Sequence, residues 1–218
     1  MPECRPRLAG ANVLGVGGAR ISSRRPRALG DGYAASVRRV LLTGMSGTGK
    51  STLVNKLAPL GHKAIDLDDP DWSEMVNDPS APGVSASAPG QDWQWREDRL
   101  ERLLVTEDAE VLFVSGCTSN QIKFYPRFDH IVLLSAPISV MVERLATRTA
   151  NLYGKRPDEL AMVLDYSRTV EPLLRRAATF EVDTSAPLDE VVAAVLEGAA
   201  PIGVVSTMPA PSVGSATS

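Results

Sequence analysis

The chain has 218 residues, of which 44% are hydrophobic and 22% charged, with a net charge of −3. That length supports one domain with a sizeable core, and the charge does not suggest a general nucleic-acid binder. No apolar run reaches the length needed to span a bilayer. Two cysteines, Cys4 and Cys117, are too few for a disulfide framework and point to a reducing cytoplasm.

Residues 1–37 carry Arg5, Arg7, Arg20, Arg24, Arg25 and Arg27 against Glu3 and Asp31. With no amphipathic period they are expected to be a basic, disordered extension. A domain is expected over residues 38–200, followed by a Pro, Ser, Thr and Ala-rich disordered tail at 201–218.

Within the domain, strand-like and helix-like segments alternate, which is the pattern of an α/β sheet with crossover helices. The first strand runs from Arg39 to Thr43 and the first helix from Lys50 to Leu60, stopped by Gly61. Lys63 to Leu67 is the second strand. Asp78 to Gln91 is rich in Pro, Ser, Ala and Gly and is expected to be irregular. Trp93 to Glu107 is predicted as a helix, Glu110 to Ser115 as the third strand and Ile131 to Ser135 as the fourth. Helices are predicted at Ile138 to Arg148 and Asp158 to Ala178, the latter open to a break at Pro172. Phe180 to Val182 is the fifth strand, and Leu188 to Leu196 closes the domain as a helix.

Gly44-Met45-Ser46-Gly47-Thr48-Gly49-Lys50-Ser51 joins the first strand to the first helix. It fits the phosphate-binding pattern G-x-x-x-x-G-K-[ST] at each fixed position. A polyphosphate needs many donors in a small space. Glycines let the main chain curl so that successive N–H groups form an anion nest, and the following helix adds its positive end. Gly44, Ser46, Gly47, Thr48, Gly49, Lys50, Ser51 and Thr52 are therefore expected to hold a nucleoside triphosphate with Mg²⁺. Lys50 reaches the β- and γ-phosphates, and the Ser51 hydroxyl takes Mg²⁺.

Four further groups carry chemistry. Asp66-Leu67-Asp68 ends the second strand, and alternation places both carboxylates on one side. One is suited to Mg²⁺ and the other to receiving a proton from an attacking hydroxyl. Arg96, after Trp93 and Trp95, is suited to an anionic substrate. Ser115-Gly116-Cys117-Thr118-Ser119-Asn120-Gln121 follows the third strand; Gly116 permits close approach, Asn120 and Gln121 offer amides, and Ser119 is a candidate helix cap. Finally, the loop from Arg148 to Arg156 is cationic and suited to closing over a nucleotide.

These pieces together resemble the shikimate kinase branch of the phosphate-loop small-molecule kinases, over Val40 to Leu196. The resemblance implies a three-layer α/β fold whose five parallel strands lie in the order 2-3-1-4-5, and transfer of the ATP γ-phosphoryl group to a hydroxyl or phosphate of a small anionic metabolite. It implies that Asp66 assists Mg²⁺ and that Asp68 contacts the acceptor hydroxyl. Trp95-Arg96 looks like the family's aromatic–Arg pair, with Arg96 on a substrate carboxylate. Arg148-Thr149 and Arg156-Pro157 look like the two ends of its lid, Arg148 on adenine and Arg156 on the phosphates. In the closing segment, Arg175 or Arg176 grips the substrate and Pro187 borders adenine. The chain departs from the family in having Ser115-Gly116-Cys117 where the family has three glycines, which alters the acceptor pocket. A monomer or weak homodimer is expected. A non-catalytic ATP-binding switch stands as the alternative.

Overall fold

The computed structural model describes residues 37–79 and 90–200. The basic extension and the 201–218 tail, with Cys4, therefore lie outside the described residues, apart from Val37, as does most of the expected irregular stretch after Asp78. The central strand is β1 (Arg38–Thr43). Val40, Leu41 and Leu42 are wholly buried, as befits a parallel strand covered on both faces. It pairs in parallel with β5 (Val111–Ser115) on one side and β6 (His130–Ser135) on the other. β2 (Lys63–Asp66) and β7 (Phe180–Asp183) form the outer strands, giving the order β2-β5-β1-β6-β7. β3 (Ser73–Asn77) and β4 (Gln91–Trp95) form a separate antiparallel pair. Counting only the main sheet, the order is the expected 2-3-1-4-5.

Side-chain alternation divides the core. Val40, Leu42, Phe113, Val132 and Leu134 face α1 (Lys50–Leu57) and α6 (Leu188–Gly198) through Leu53, Leu57, Val191 and Val195. Leu41, Leu112 and Val114 face the opposite layer, where α2 (Glu97–Leu104) supplies Leu100, Leu103 and Leu104 beside Trp95. A third cluster joins Met45 and Leu133 to α3 (Ile138–Thr147), α4 (Pro157–Thr169) and α5 (Glu171–Ala177) through Met141, Leu145, Val163 and Leu174. Among the described residues no helix is long and apolar enough to cross a membrane.

Two local expectations are corrected and a third, left open, is resolved. Trp93 to Trp95 is strand, not helix: these residues pair with Met75 through Ser73, and the tertiary pairing suits tryptophan's preference for a pleated surface. Helix α2 begins only at Glu97, with Arg96 extended at its N-cap. The first helix ends at Leu57 and tightens into a 3₁₀ turn over Ala58–Leu60, because Pro59 lacks the N–H that another α-turn needs. The long helix after the 148–156 loop, left open to a break at Pro172, does break, at Val170, and Pro172 takes its favoured place in the first turn of α5.

Candidate active site

The glycine loop leaves the C-terminal end of β1, and its shape is set by close contacts. A side chain at Gly44 would collide with the main-chain carbonyl of Leu134. Thr48 folds the loop onto itself, its hydroxyl and its N–H both donating to the Met45 carbonyl at 2.7 and 3.2 Å. Gly49 is the N-cap of α1 with φ +91°, left-handed backbone that glycine tolerates. No side chain caps this helix, so its N-terminal N–H groups remain for an anion.

Lys50 is 4% exposed. Its ammonium group donates to the Gly44 carbonyl at 3.0 Å and lies 3.9 Å from Asp68 Oδ2. Ser51 Oγ donates to Asp66 Oδ2 at 2.5 Å. The other oxygen of Asp66 accepts from Ser115 Oγ and from the Asp68 N–H, both at 3.1 Å. β2 ends at Asp66, so a side chain-to-main chain turn, not strand alternation, brings the two aspartates together. Asp68 is 6% exposed and its Oδ1 accepts from the Cys117 N–H at 3.3 Å. The two carboxylates thus have separate surroundings: Asp66 serves the hydroxyl pair Ser51 and Ser115, and Asp68 bridges Lys50 and the loop after β5.

A cleft of about 730 Å³ joins these groups, and Arg144, Arg148, Thr184 and Leu188 also line it. A second cleft of about 730 Å³ lies at the other end of the sheet, beside Arg38, His62 and Lys63. There Lys63 is bound to Asp108 at 2.6 Å and Arg38 to the Ala199 carbonyl at 2.6 Å. It lacks a glycine loop or a helix N-terminus, so the first cleft is the candidate. Its position, beyond the carboxyl ends of parallel strands, is where open α/β sheets bind ligands.

The remaining expected site residues divide. Gly47, Thr48, Gly49, Lys50, Ser51, Thr52, Asp66, Asp68 and Arg148 line the cleft together. Gly44 and Ser46 belong to the same loop, behind that lining. Arg148 donates to the Tyr153 carbonyl at 2.6 Å, so it is fixed to its own loop. Pro187 is the N-cap of α6, between Ala186 and Leu188, which line the cleft. Gly116 is buried against Asp68 and Trp95. Other residues are not brought to the cleft. Arg156 forks onto Asp158 at 3.1 and 2.7 Å. Arg96 pairs with Glu74 at 2.8 Å. Arg175 holds Glu171 and Glu181, each at 2.7 Å, and Arg176 is exposed on α5. The Arg175 guanidinium holds the Glu181 carboxyl below the usual carboxylate range, against the opposing pull of burial.

The amides after β5 also differ from expectation. Asn120 Oδ1 accepts from the Trp95 N–H at 3.1 Å and its Nδ2 donates to the Trp95 carbonyl at 3.0 Å, so it fastens β4 as a neighbouring strand would. Gln121 is engaged with Thr43 and the Cys117 sulfur. Ser119 caps no helix; its hydroxyl donates to Asp92 at 2.5 Å. Sequence reasoning missed Arg144. Its guanidinium donates to Thr184 Oγ1 at 3.1 Å, the Thr184 carbonyl at 2.7 Å and the Gly47 carbonyl at 3.4 Å. The signal was its place in the last turn of the predicted Ile138–Arg148 helix, four residues before Arg148.

A family model described as an AAA domain matches residues 40–165. Among solved structures, a shikimate kinase from Acinetobacter baumannii in complex with shikimate is 15% identical, with a TM-score of 0.51 over 75% of this chain and 93% of that one. A gluconokinase from Sinorhizobium meliloti 1021 is 24% identical, with a TM-score of 0.48 over 74% and 91%. TT1252 from Thermus thermophilus is 18% identical, with a TM-score of 0.46 over 74% and 97%. No curated protein matches. The first of these structures has the fold described above.

Proposed function

This chain belongs to the AAA domain family, and from that membership and the chemistry of the cleft we propose an ATP-dependent phosphotransferase that moves the γ-phosphoryl group to a small metabolite. The observation that carries the proposal is the grouping of Lys50, Ser51, Asp66 and Asp68 at one helix N-terminus. The loop amides and Lys50 neutralise the phosphates. On binding, the Lys50 ammonium exchanges the Gly44 carbonyl for phosphate oxygens, with little movement of a side chain already in place.

The Ser51 hydroxyl and the Asp66 carboxylate suit Mg²⁺, which takes oxygen ligands and is typically held by one or two carboxylates with water and phosphate completing the shell. Bound there, the ion neutralises charge on the phosphates. Asp68 takes the proton of the attacking hydroxyl. Its burial beside Lys50 keeps it out of bulk water, where a free hydroxyl would compete with the acceptor. Arg148 closes the nucleotide end, and Arg156 joins it once released from Asp158 in a lid movement of the 148–156 loop. The acceptor is a small anionic metabolite carrying a hydroxyl or phosphate. Contact of Arg96, Arg175 or Arg176 with its charge requires the first two to exchange their present carboxylate partners. The enzyme acts in the cytoplasm, as a monomer or weak homodimer, without nucleic acid.

The test is calorimetric titration with ATP and Mg²⁺, followed by ADP formation with shikimate, gluconate and nucleoside monophosphates. Lys50→Ala is expected to lower ADP formation by about a hundredfold or more, the scale of losing one preorganised charge-stabilising group, with an unchanged far-ultraviolet spectrum. Undiminished turnover in a folded Lys50→Ala protein refutes the assignment.

A further inference from the structure

We infer that Ser115 is a positioning residue for the cation that accompanies the nucleotide. Its buried hydroxyl holds one oxygen of Asp66, so that the other oxygen takes the Ser51 proton and leaves the Ser51 lone pairs for Mg²⁺. This rests on the phosphotransferase reading and adds to it a group that touches neither ion nor substrate.

The strand order sets the difficulty. Ser51 follows the loop from β1, the central strand, whereas Asp66 ends β2 at the edge of the sheet, with β5 between them. Ser115 is the last residue of β5, and the strand offers no carboxylate of its own. In the register of the sheet Ser115 stands opposite Asp66 on one side and Leu42 on the other. A carboxylate that meets Ser51 from β2 therefore spans the neighbouring strand, and its two side-chain torsions have to be fixed. Ser115 supplies the hold. It is 0% exposed, and its Oγ donates to Asp66 Oδ1 at 3.1 Å. The Asp68 N–H donates to the same oxygen at 3.1 Å. Two donors thus occupy Oδ1, while Oδ2 accepts from Ser51 Oγ at 2.5 Å. The Leu67 N–H donates to the Ser115 carbonyl at 2.7 Å, so the main chains on either side of this contact are tied together.

A serine hydroxyl has one proton and two lone pairs. With its proton committed to Asp66, the Ser51 oxygen presents only lone pairs, and oxygen lone pairs are what a hard cation takes. A carboxylate free to turn would release that proton to point elsewhere, toward the ion included. Mg²⁺ is exacting about geometry, so fixing Asp66 fixes the ligand next to it. The choice of a hydroxyl matters as well. A lysine or arginine at position 115 would also hold Asp66, but it would cancel the negative charge that attracts the cation; a neutral donor orients the carboxylate and leaves its charge in place. Ser51 and Asp66 line the cleft, and Ser115 does not. Its influence therefore passes through Asp66, as an outer-shell partner orients the group that meets the metal.

Ser115→Ala removes the hydroxyl and leaves the Asp68 N–H on Asp66. The full chain is titrated calorimetrically with a non-hydrolysable ATP analogue, once in EDTA and once in excess Mg²⁺. In the variant the ratio of Mg²⁺-supported to metal-free affinity should fall about tenfold, the lower end of the loss on removing an outer-shell partner, while the affinity in EDTA stays within about twofold of wild type. An unchanged ratio overturns the inference. So does an equal loss in both titrations, the mark of a residue that only supports the fold. The same substitution in an Asp66→Ala background should change the ratio by less than about twofold, because residues that act through one group are not additive. A further loss of about tenfold there shows that Ser115 does not work through Asp66, and likewise overturns the inference. If Ser115→Ala fails to fold by its far-ultraviolet spectrum, Ser115→Cys, whose thiol is a weak donor, is read in the same way. A wild-type protein that binds the analogue in neither titration fails earlier, and refutes the phosphotransferase reading itself.

Discussion

Removing the Asn120 side chain should loosen the acceptor end of the cleft while sparing the nucleotide end. Asn120 is 4% exposed. Besides the two main-chain groups of Trp95, it accepts from Thr118 Oγ1 at 2.9 Å and donates to Glu97 at 3.2 Å. Asn120→Ala leaves the buried N–H and carbonyl of Trp95 without partners, each at a cost of about 1–3 kcal/mol. Partial entry of water makes about 2–4 kcal/mol a reasonable total. For a domain of this size each kcal/mol lowers the melting temperature by about 2–4 °C, so a fall of about 5–15 °C is expected by calorimetry. Asn120→Asp keeps the acceptor for the Trp95 N–H but turns an oxygen toward the Trp95 carbonyl and Glu97. It should destabilise at least as much at neutral pH. ATP affinity should stay within about twofold in Asn120→Ala below its melting temperature, because none of its partners belongs to the glycine loop. A fall of less than about 2 °C, or an equal loss of ATP affinity and acceptor turnover, would refute the view that this amide fastens the β3–β4 pair to the sheet.

Arg144→Ala should act at the opposite end. It frees Thr184 and the Gly47 carbonyl from one guanidinium, and with hydrogen bonds from a charged group worth about 1.5–3 kcal/mol the ATP Kd should rise about tenfold by titration, with acceptor KM little changed. Stability should depend on acid through Glu181. Its carboxyl is held below the usual range first by the Arg175 hydrogen bond, so its contribution is complete above the ordinary value of 4.5 and is lost as pH falls through the depressed one. The pair is partly exposed, which limits the contribution to below about 1 kcal/mol. The melting-temperature gap between wild type and Glu181→Gln should therefore be a few degrees at about pH 6 and should shrink as the solution is acidified below 4.5; a gap that widens in acid contradicts the pairing.

What was legible in the sequence was local. The glycine loop, the strand before it and the helix after it are contiguous, and every conformational demand falls on residues within one short segment. The five parallel strands were also readable: β1, β5 and β6 carry buried apolar runs, and the shorter, partly exposed outer strands β2 and β7 are bounded by turn residues. The β3–β4 pair was not. Its strands are Ser73–Asn77 and Gln91–Trp95, and neither declares its partner across the Pro, Ala and Ser-rich stretch between them. Without that pairing Trp93 to Trp95 joins the leucine stripe of α2 and looks like its first turn. The arginines divide along the same line. Arg175 four residues after Glu171 is a helix pair at a spacing that can be read from the sequence. The bond to Glu181 and the bond from Arg96 to Glu74 depend on tertiary placement, which no local pattern encodes.

The two aspartates show why a correct neighbourhood does not fix roles. Alternation along an extended chain made Asp66 and Asp68 equivalent, two carboxylates on one side of a strand. The strand stops between them, and the turn that follows gives them different partners: hydroxyls for Asp66, an ammonium and a main-chain N–H for Asp68. Unlike surroundings are what allow a pair of identical groups to perform unlike tasks. Asp66 accepts from the Ser51 hydroxyl, while Asp68 lies against the Lys50 ammonium and the loop after β5. The proposed division of labour between metal binding and proton transfer therefore rests on the position of a single turn, one residue beyond the end of β2.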